Sequence, residues 1–245
     1  MSVSRFYCHP PLPLTTNFEL PPEAAHHASR VLRLRTGDKV QIFDGIGNAL
    51  DATINAINGK HVLLGNLQSF IGQLESDLQI VLAQAMCSSE KMDWVVQKAT
   101  ELGVTKIVPV QTQRSIAKLS GMRATKRTEH WRNVTIAASE QCGRNRLPEI
   151  EEPQEIGAWL SEMQHAAGIK FILLPGGANR LNAQPKPQGR VTLLVGPEGG
   201  FTIDESNIAQ QSGFEPVLIG PRVLRTETAA IAGIAAIQTL WGDFN

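Results

Sequence analysis

Two short apolar runs, each cut off by a glycine–proline turn, constrain this chain more than any other feature. Val191-Thr-Leu-Leu-Val195 ends at Gly196-Pro-Glu-Gly-Gly200, and Val217-Leu-Ile219 ends at Gly220-Pro-Arg-Val-Leu-Arg-Thr-Glu-Thr228. Runs this short and this apolar fit buried strands, and the turns fit no regular element. Thr202 and Glu205 have capping-box spacing, so a helix is expected to start there. After the second turn, Ala229 to Trp241 reads as a final helix with small and aliphatic residues on almost every face. In open α/β sheets, ligands bind outside the carboxyl ends of the strands. The stretch therefore predicts a ligand site built from two loops near the C-terminus.

The rest of the chain divides into two kinds of sequence. Residues 1–72 carry Pro-rich segments, one short helix around His26 to Arg33, and β runs over Lys39–Phe43, Ala49–Ile57 and His61–Leu67. Asp44-Gly45 and Asn58-Gly59 between these runs are hairpin signals, and together they predict a small β barrel. Residues 73–245 alternate strand and helix: a strand at Leu78–Ala83, a helix from Ser88 or Ser89 to Leu102, and a strand at Lys106–Val110. A helix over about Thr128–Cys142, another near Glu155–Ala166 and a strand at Ile169–Leu174 follow. That alternation predicts a mainly parallel sheet covered on both faces. Pro175-Gly-Gly177 is expected to turn, and Ala183–Gly189 to be a surface loop.

The formal net charge is zero, but its distribution is uneven. Between Arg114 and Arg146 stand eight basic residues against two acidic ones, a local charge of +6. A phosphate backbone would meet such a segment, and so would plain solvent on an exposed helix face. His26, Arg30, Arg33 and Arg35 in the first region offer the same two readings. Cys8, Cys87 and Cys142 are too widely spaced for a zinc pattern, and no His cluster has metal-ligand spacing, so no metal is expected. No run is apolar enough to cross a membrane and no signal-peptide core is present, which predicts a cytoplasmic protein with reduced thiols.

Gly196–Gly200 lacks the Gly-Lys-Ser/Thr ending of a phosphate-binding loop and the Gly-x-Gly-x-x-Gly spacing of a dinucleotide site. The glycine-rich methyltransferase loop of the doubly wound fold is also missing. What remains is a turn that lets a ligand approach the backbone closely, with Glu198 beside it. In the second turn Thr226 is placed to cap the last helix, and Arg225 to meet a phosphate or a developing anion. A helix cap with a surface ion pair is the alternative for this cluster.

Gly196-Pro-Glu-Gly-Gly200 together with Leu218-Ile-Gly-Pro-Arg-Val-Leu-Arg-Thr-Glu-Thr-Ala229 resembles the ribosomal RNA small-subunit methyltransferase E family, the N3-uridine methyltransferases of 16S rRNA in the SPOUT superfamily. Lys91, Gln97–Gly103, Pro109, Glu140–Pro148, His27 through Arg33, Gly37-Asp38 and Phe43-Asp-Gly45 extend the likeness over essentially the whole chain. The resemblance implies a PUA-like RNA-binding β-barrel domain over 1–72. It implies a SPOUT methyltransferase domain over 73–245, an α/β fold with a trefoil knot. S-adenosylmethionine would be held by Leu174, Pro175, Gly196, Pro197, Gly199, Leu218, Ile219, Gly220, Val223, Leu224 and Thr226. Arg225 and Arg144 would stabilise the imide anion of uracil or fix a flanking phosphate. Glu198 and Glu227 would orient these arginines or act as base. Arg30, Arg33, Arg114, Arg123, Lys126, Arg127 and Arg146 would meet RNA. A homodimer would explain the apolar final helix, and 16S rRNA in the small subunit would be the substrate. Ribose 2′-O methylation by the same fold, or rRNA binding without catalysis, are the other functions weighed.

Overall fold

The structure is a computed structural model that describes residues 3–13, 17–70, 72, 75–176 and 179–244. The chain forms two compact units, Met1–Glu75 with Ile136–Leu147, and Ser76–Thr135 with Pro148–Asn245. A division at residue 72/73 separates the same two grammars but leaves Ile136–Leu147 with the second. That segment joins the first unit through side chains far apart in sequence.

The first unit is built on β1 (Ser4–Tyr7), β2 (Asn17–Glu19), β3 (Lys39–Phe43), β4 (Ala49–Asn58) and β5 (His61–Ser69). They form one sheet in the order β1-β3-β4-β5-β2. Asn58 pairs with His61 across the Asn-Gly turn, so the β4–β5 hairpin closes where the sequence says it should. Alternate residues Val40, Ile42, Ile54, Val62 and Leu64 point to one core with Phe6. α1 (Pro22–His26) continues as a wider turn over His27–Val31. Arg5 fastens Ile136–Leu147 to this sheet. Its guanidinium donates to the Arg144 carbonyl at 3.0 Å and Asn145 Oδ1 at 2.6 Å, and lies 4.9 Å from the Phe43 ring centre. Glu75 adds a second fastening, accepting from the backbone N–H of Asn145 at 3.0 Å and of Arg146 at 2.9 Å.

The second unit starts with β6 (Ile80–Ala85), α2 (Ser89–Glu101), β7 (Lys106–Gln111) and α3 (Met122–Cys142), whose last turns belong to the first unit. It continues with β8 (Glu149–Ile150), β9 (Gln154–Glu155), α4 (Ile156–Met163), β10 (Ile169–Leu173) and β11 (Asn179–Arg180). β12 (Val191–Val195), α5 (Ile203–Gln211), β13 (Glu215–Leu218) and α6 (Thr226–Trp241) complete it. The strand order is β11-β13-β10-β12-β6-β7-β8, with β9 also on β7, and every pair is parallel.

The central strands are apolar throughout because both faces are covered. Ile80, Leu82, Val191, Leu193 and Phe171 face a core shared with Val95 and Val96 of α2 and Ile234 and Ile237 of α6. Their neighbours Val81, Ala83, Leu194 and Ile172 face the opposite core, with Trp159 and Leu160 of α4 and Phe214. Lys170 of β10 reaches two helix ends at once: its ammonium donates to the Met163 carbonyl closing α4 (2.6 Å) and the Ser212 carbonyl closing α5 (2.9 Å). A cation there answers both helix dipoles. Lys170→Met is expected to lower stability by about 1–3 kcal/mol, read from denaturant unfolding.

Several boundaries differ from the sequence reading, each for a local reason. α3 begins at Met122 rather than near Thr128, because Ala124 already packs inward and the segment after Gly121 contains good helix formers. β11 and a single 3₁₀ turn, Leu181–Ala183, form between the Pro175–Gly177 turn and the Ala183–Gly189 loop, where the sequence reading placed no element. The Gly177 half of the Pro175–Gly177 turn lies outside the described residues. α6 begins at Thr226 with Arg225 in the capping position, so Thr226 is the first helical residue and not the cap. No helix among the described residues is long and apolar enough to cross a membrane. Nor do those residues contain a group of three or more His, Cys, Asp or Glu fit to hold a metal ion.

Candidate active site

β13, β10 and β12 are adjacent in the sheet and parallel, so the turns that follow them emerge side by side at one edge. Between those turns lies a cavity of about 600 Å³. All eleven residues expected to hold the cofactor line it: Leu174 and Pro175 after β10, Gly196, Pro197 and Gly199 after β12, and Leu218, Ile219, Gly220, Val223, Leu224 and Thr226 after β13. Glu198 and Arg225 line it too.

Buried polar contacts shape the walls. Gln84 sits fully buried at the end of β6 and donates to the Thr226 hydroxyl at 2.9 Å. That hydroxyl in turn donates to the Gly196 carbonyl at 2.5 Å. The start of α6 is thereby pinned to the turn after β12. On the outer side, Arg114 donates to the Gly199 carbonyl at 2.8 Å. A Cβ on Gly199 would stand 3.2 Å from Arg114 Cβ, and one on Gly196 would stand 3.0 Å from the Phe201 ring. Both glycines thus permit close packing that any side chain would disturb. The capping box at Thr202 and Glu205 is formed, and Glu205 also accepts from the Gln113 backbone at 2.7 Å.

The two carboxylates do not meet Arg225. Lys91, in the first turn of α2, bonds Glu198 Oε1 at 3.0 Å and stands 3.5 Å from Glu227 Oε2. Burial alone would raise the pKa of Glu198. Hydrogen bonds from backbone N–H groups, Ser88 included, and from Lys91 outweigh it and hold the carboxyl below its ordinary value. The hydrogen bond to Glu198 conversely raises the pKa of Lys91. Burial, reinforced by Glu198, pushes the nearby Cys87 thiol up to about 12, so it is inert. Arg225 is exposed, and its guanidinium has no hydrogen bond or ion pair among the described residues.

Arg144 belongs to the first unit and is absent from the cavity walls. It is 4% exposed, and its guanidinium meets Glu75 at 2.9 Å. The residues expected to meet RNA fall into two groups. Arg30, Arg33 and Arg146 are exposed on the first unit, and Arg123 and Lys126 on the second. Arg127 instead pairs with Asp93 at 2.8 Å and lies 5.3 Å from the Trp131 ring centre, while Arg114 holds the glycine turn. Sequence reasoning gave no role to Lys91 or Gln84. The one available signal was a glutamine inside an otherwise apolar strand.

Comparison with known proteins agrees with this geometry. Residues 74–238 match the RNA methyltransferase domain family, and residues 20–65 the RNA methyltransferase PUA domain family. Ribosomal RNA small subunit methyltransferase E of Bacillus subtilis (strain 168) is 29% identical over 90% of this chain and 89% of its own length. The Neisseria gonorrhoeae enzyme of that name, solved with S-adenosyl methionine bound, superposes with a TM-score of 0.91 at 36% identity, each chain covered in full. The Buchnera aphidicola subsp. Schizaphis graminum (strain Sg) enzyme is 35% identical over 99% of this chain and 98% of its own. Matched over nearly its whole length at that identity, the chain belongs to the ribosomal RNA small subunit methyltransferase E family.

Proposed function

We propose that the protein methylates N3 of a uridine in 16S rRNA of the small ribosomal subunit, with S-adenosylmethionine as donor, acting in the cytoplasm as a homodimer. The observation that carries this reading is the cavity itself: the cofactor residues expected from the resemblance converge on it, with an unpaired arginine at its wall. Its volume lies in the ~300–1,000 Å³ range of cofactor sites. Leu174, Ile219 and Leu224 offer apolar surface to an adenosine, and the backbone N–H groups of Gly220, Arg222, Val223 and Leu224 have no partner among the described residues. These groups suit a donor held by backbone hydrogen bonds. The reading includes the trefoil knot, which would set the three turns side by side, and an RNA-holding role for the PUA domain.

When bound, S-adenosylmethionine supplies a methyl group on a positively charged sulfur. The residues of this chain prepare its acceptor. Uracil N3 carries an imide proton and attacks poorly until that proton leaves. The proton goes to solvent, the electron pair stays on N3, and Arg225 stabilises the resulting anion. Arg225 takes this role alone, since Arg144 is held by Glu75. A uridine inside a duplex could not enter the cavity, so the target is single-stranded or flipped out. The exposed residues of α6, Thr239 and Leu240 among them, provide the surface for a second copy.

The test is label transfer. Protein and methyl-tritiated donor, incubated with small subunits lacking the modification, should label 16S rRNA. Absence of label despite donor binding would overturn the reading. RNA binding makes a separate prediction. Replacing Arg123 and Lys126 with glutamine should weaken RNA binding and lower the salt slope by about 1–2. Arg127→Gln should leave the slope unchanged, because Arg127 is already paired with Asp93. Affinities measured across a potassium chloride series check both.

A further inference from the structure

Lys91 joins parts of the cavity that no other ion pair connects among the described residues. Glu198 stands at the centre of the turn after β12, and Glu227 lies in the first turn of α6, two residues past Arg225. Each meets the same ammonium, at 3.0 Å and 3.5 Å. Glu227 Oε2 is buried and has no hydrogen bond, so the Lys91 charge is what compensates it. Glu198 also accepts from the Ser88 backbone N–H at 3.4 Å, which fastens the start of α2 to the same point. Three elements, α2, the turn after β12 and α6, thus meet on one lysine at the rim.

We propose that Lys91 is a positioning residue of the donor pocket, one that ties its two glycine–proline turns together through Glu198 and Glu227. The inference rests on the methyltransferase reading above. Its first consequence is geometric: without Lys91 the turn carrying Glu198 and the helix start carrying Arg225 lose the ion pairs that join them at the rim and keep only the Thr226–Gly196 hydrogen bond deeper in. Its second is chemical: the Glu198 carboxylate, already paired with an ammonium, accepts a proton poorly and does not serve as the base. Arg225 is left without a carboxylate partner and remains available to the substrate. The titratable and charged groups near Lys91 are Glu198, Glu227 and the Cys87 thiol, with Arg225 further along the wall. The thiol stays neutral through the working range.

The sign of the pH effect follows from charge. In the wild type, Glu198 has a lowered pKa, so its stabilisation is present above the unfolded-state value and lost as pH falls through the folded one. Remove the ammonium and two carboxylates face each other unshielded. Their mutual repulsion is greatest when both are ionised and eases as pH falls, so the destabilisation grows with rising pH.

The experiment compares wild type, Lys91→Met, Lys91→Arg and the double variant Lys91→Met/Glu227→Gln. Two quantities are read: the S-adenosylmethionine dissociation constant by calorimetry, and the thermal midpoint of the ligand-free protein from about pH 5 to about pH 8. Lys91→Met should bind the donor about tenfold more weakly, and Lys91→Arg within about threefold of wild type. The thermal deficit of Lys91→Met should grow as pH rises, and the double variant should lose that trend. Wild-type donor affinity in Lys91→Met, or a pH trend that persists in the double variant, would overturn the inference and leave the donor reading intact. Failure of the wild type itself to bind the donor would overturn that reading, and the inference with it.

Discussion

Arg225→Ala should lower the methyl-transfer rate by about 10²–10³-fold while the donor dissociation constant stays within about threefold of wild type. The asymmetry comes from what the guanidinium touches. It lines the cavity but is bound to no carboxylate, and the turn around it is held by other contacts. Thr226 bonds to Gly196 and Gln84, and Glu227 pairs with Lys91. Removing the Arg225 side chain therefore leaves the donor walls standing and deletes only a positive charge. That charge matters most when the imide has lost its proton, so the loss falls on turnover. Arg225→Lys should recover part of the rate by restoring charge without the guanidinium fork. Equal losses in turnover and donor affinity would show instead that Arg225 is part of the donor wall.

The largest stability effect is expected at Trp131. Its side chain is fully buried in the core shared by α2 and α6, its indole N–H donates to Asp93 Oδ1 at 3.1 Å, and Arg127 lies over its ring. Trp131→Ala should cost about 3–5 kcal/mol, from lost apolar burial and the cavity left behind. Denaturant unfolding measures this directly. Trp131→Phe keeps most of the volume and drops the indole donor, so it should cost much less. Asp93 retains Arg127 at 2.8 Å and His130 at 3.0 Å in either variant, which limits the polar part of the loss.

Local chemistry was readable from the sequence, and long-range pairing was not. Val191–Val195 declares a buried strand because both of its faces are apolar, and Thr202 with Glu205 declares the start of α5 because a capping box is complete within four residues. The Asn58-Gly59 hairpin is similarly self-contained. β11 was missed because two residues, Asn179 and Arg180, become a strand only by pairing with Val217 and Leu218 of β13. Arg144 is expected at the site from the resemblance, and its guanidinium is paired with Glu75, 69 residues earlier. The resemblance pairs Glu198 and Glu227 with Arg225 and Arg144, whereas in the structure both carboxylates meet Lys91. Arg225 is two residues from Glu227; Lys91, 107 residues before Glu198, is the one they meet. Which cation neutralises which carboxylate is decided by how α2 packs near the turns, and no local pattern encodes that.

The identity of the methylated nucleoside tests the central claim most directly. Purified protein and S-adenosylmethionine would be incubated with small ribosomal subunits lacking the modification, and the digested rRNA resolved by mass spectrometry. A new 3-methyluridine peak, forming far more slowly when Arg225→Ala replaces the wild type, is the expected result. A ribose-methylated product would keep the fold and the donor pocket but contradict the chemistry assigned to Arg225. No methylated nucleoside at all, with donor binding confirmed, would contradict the catalytic account and favour an rRNA-binding factor.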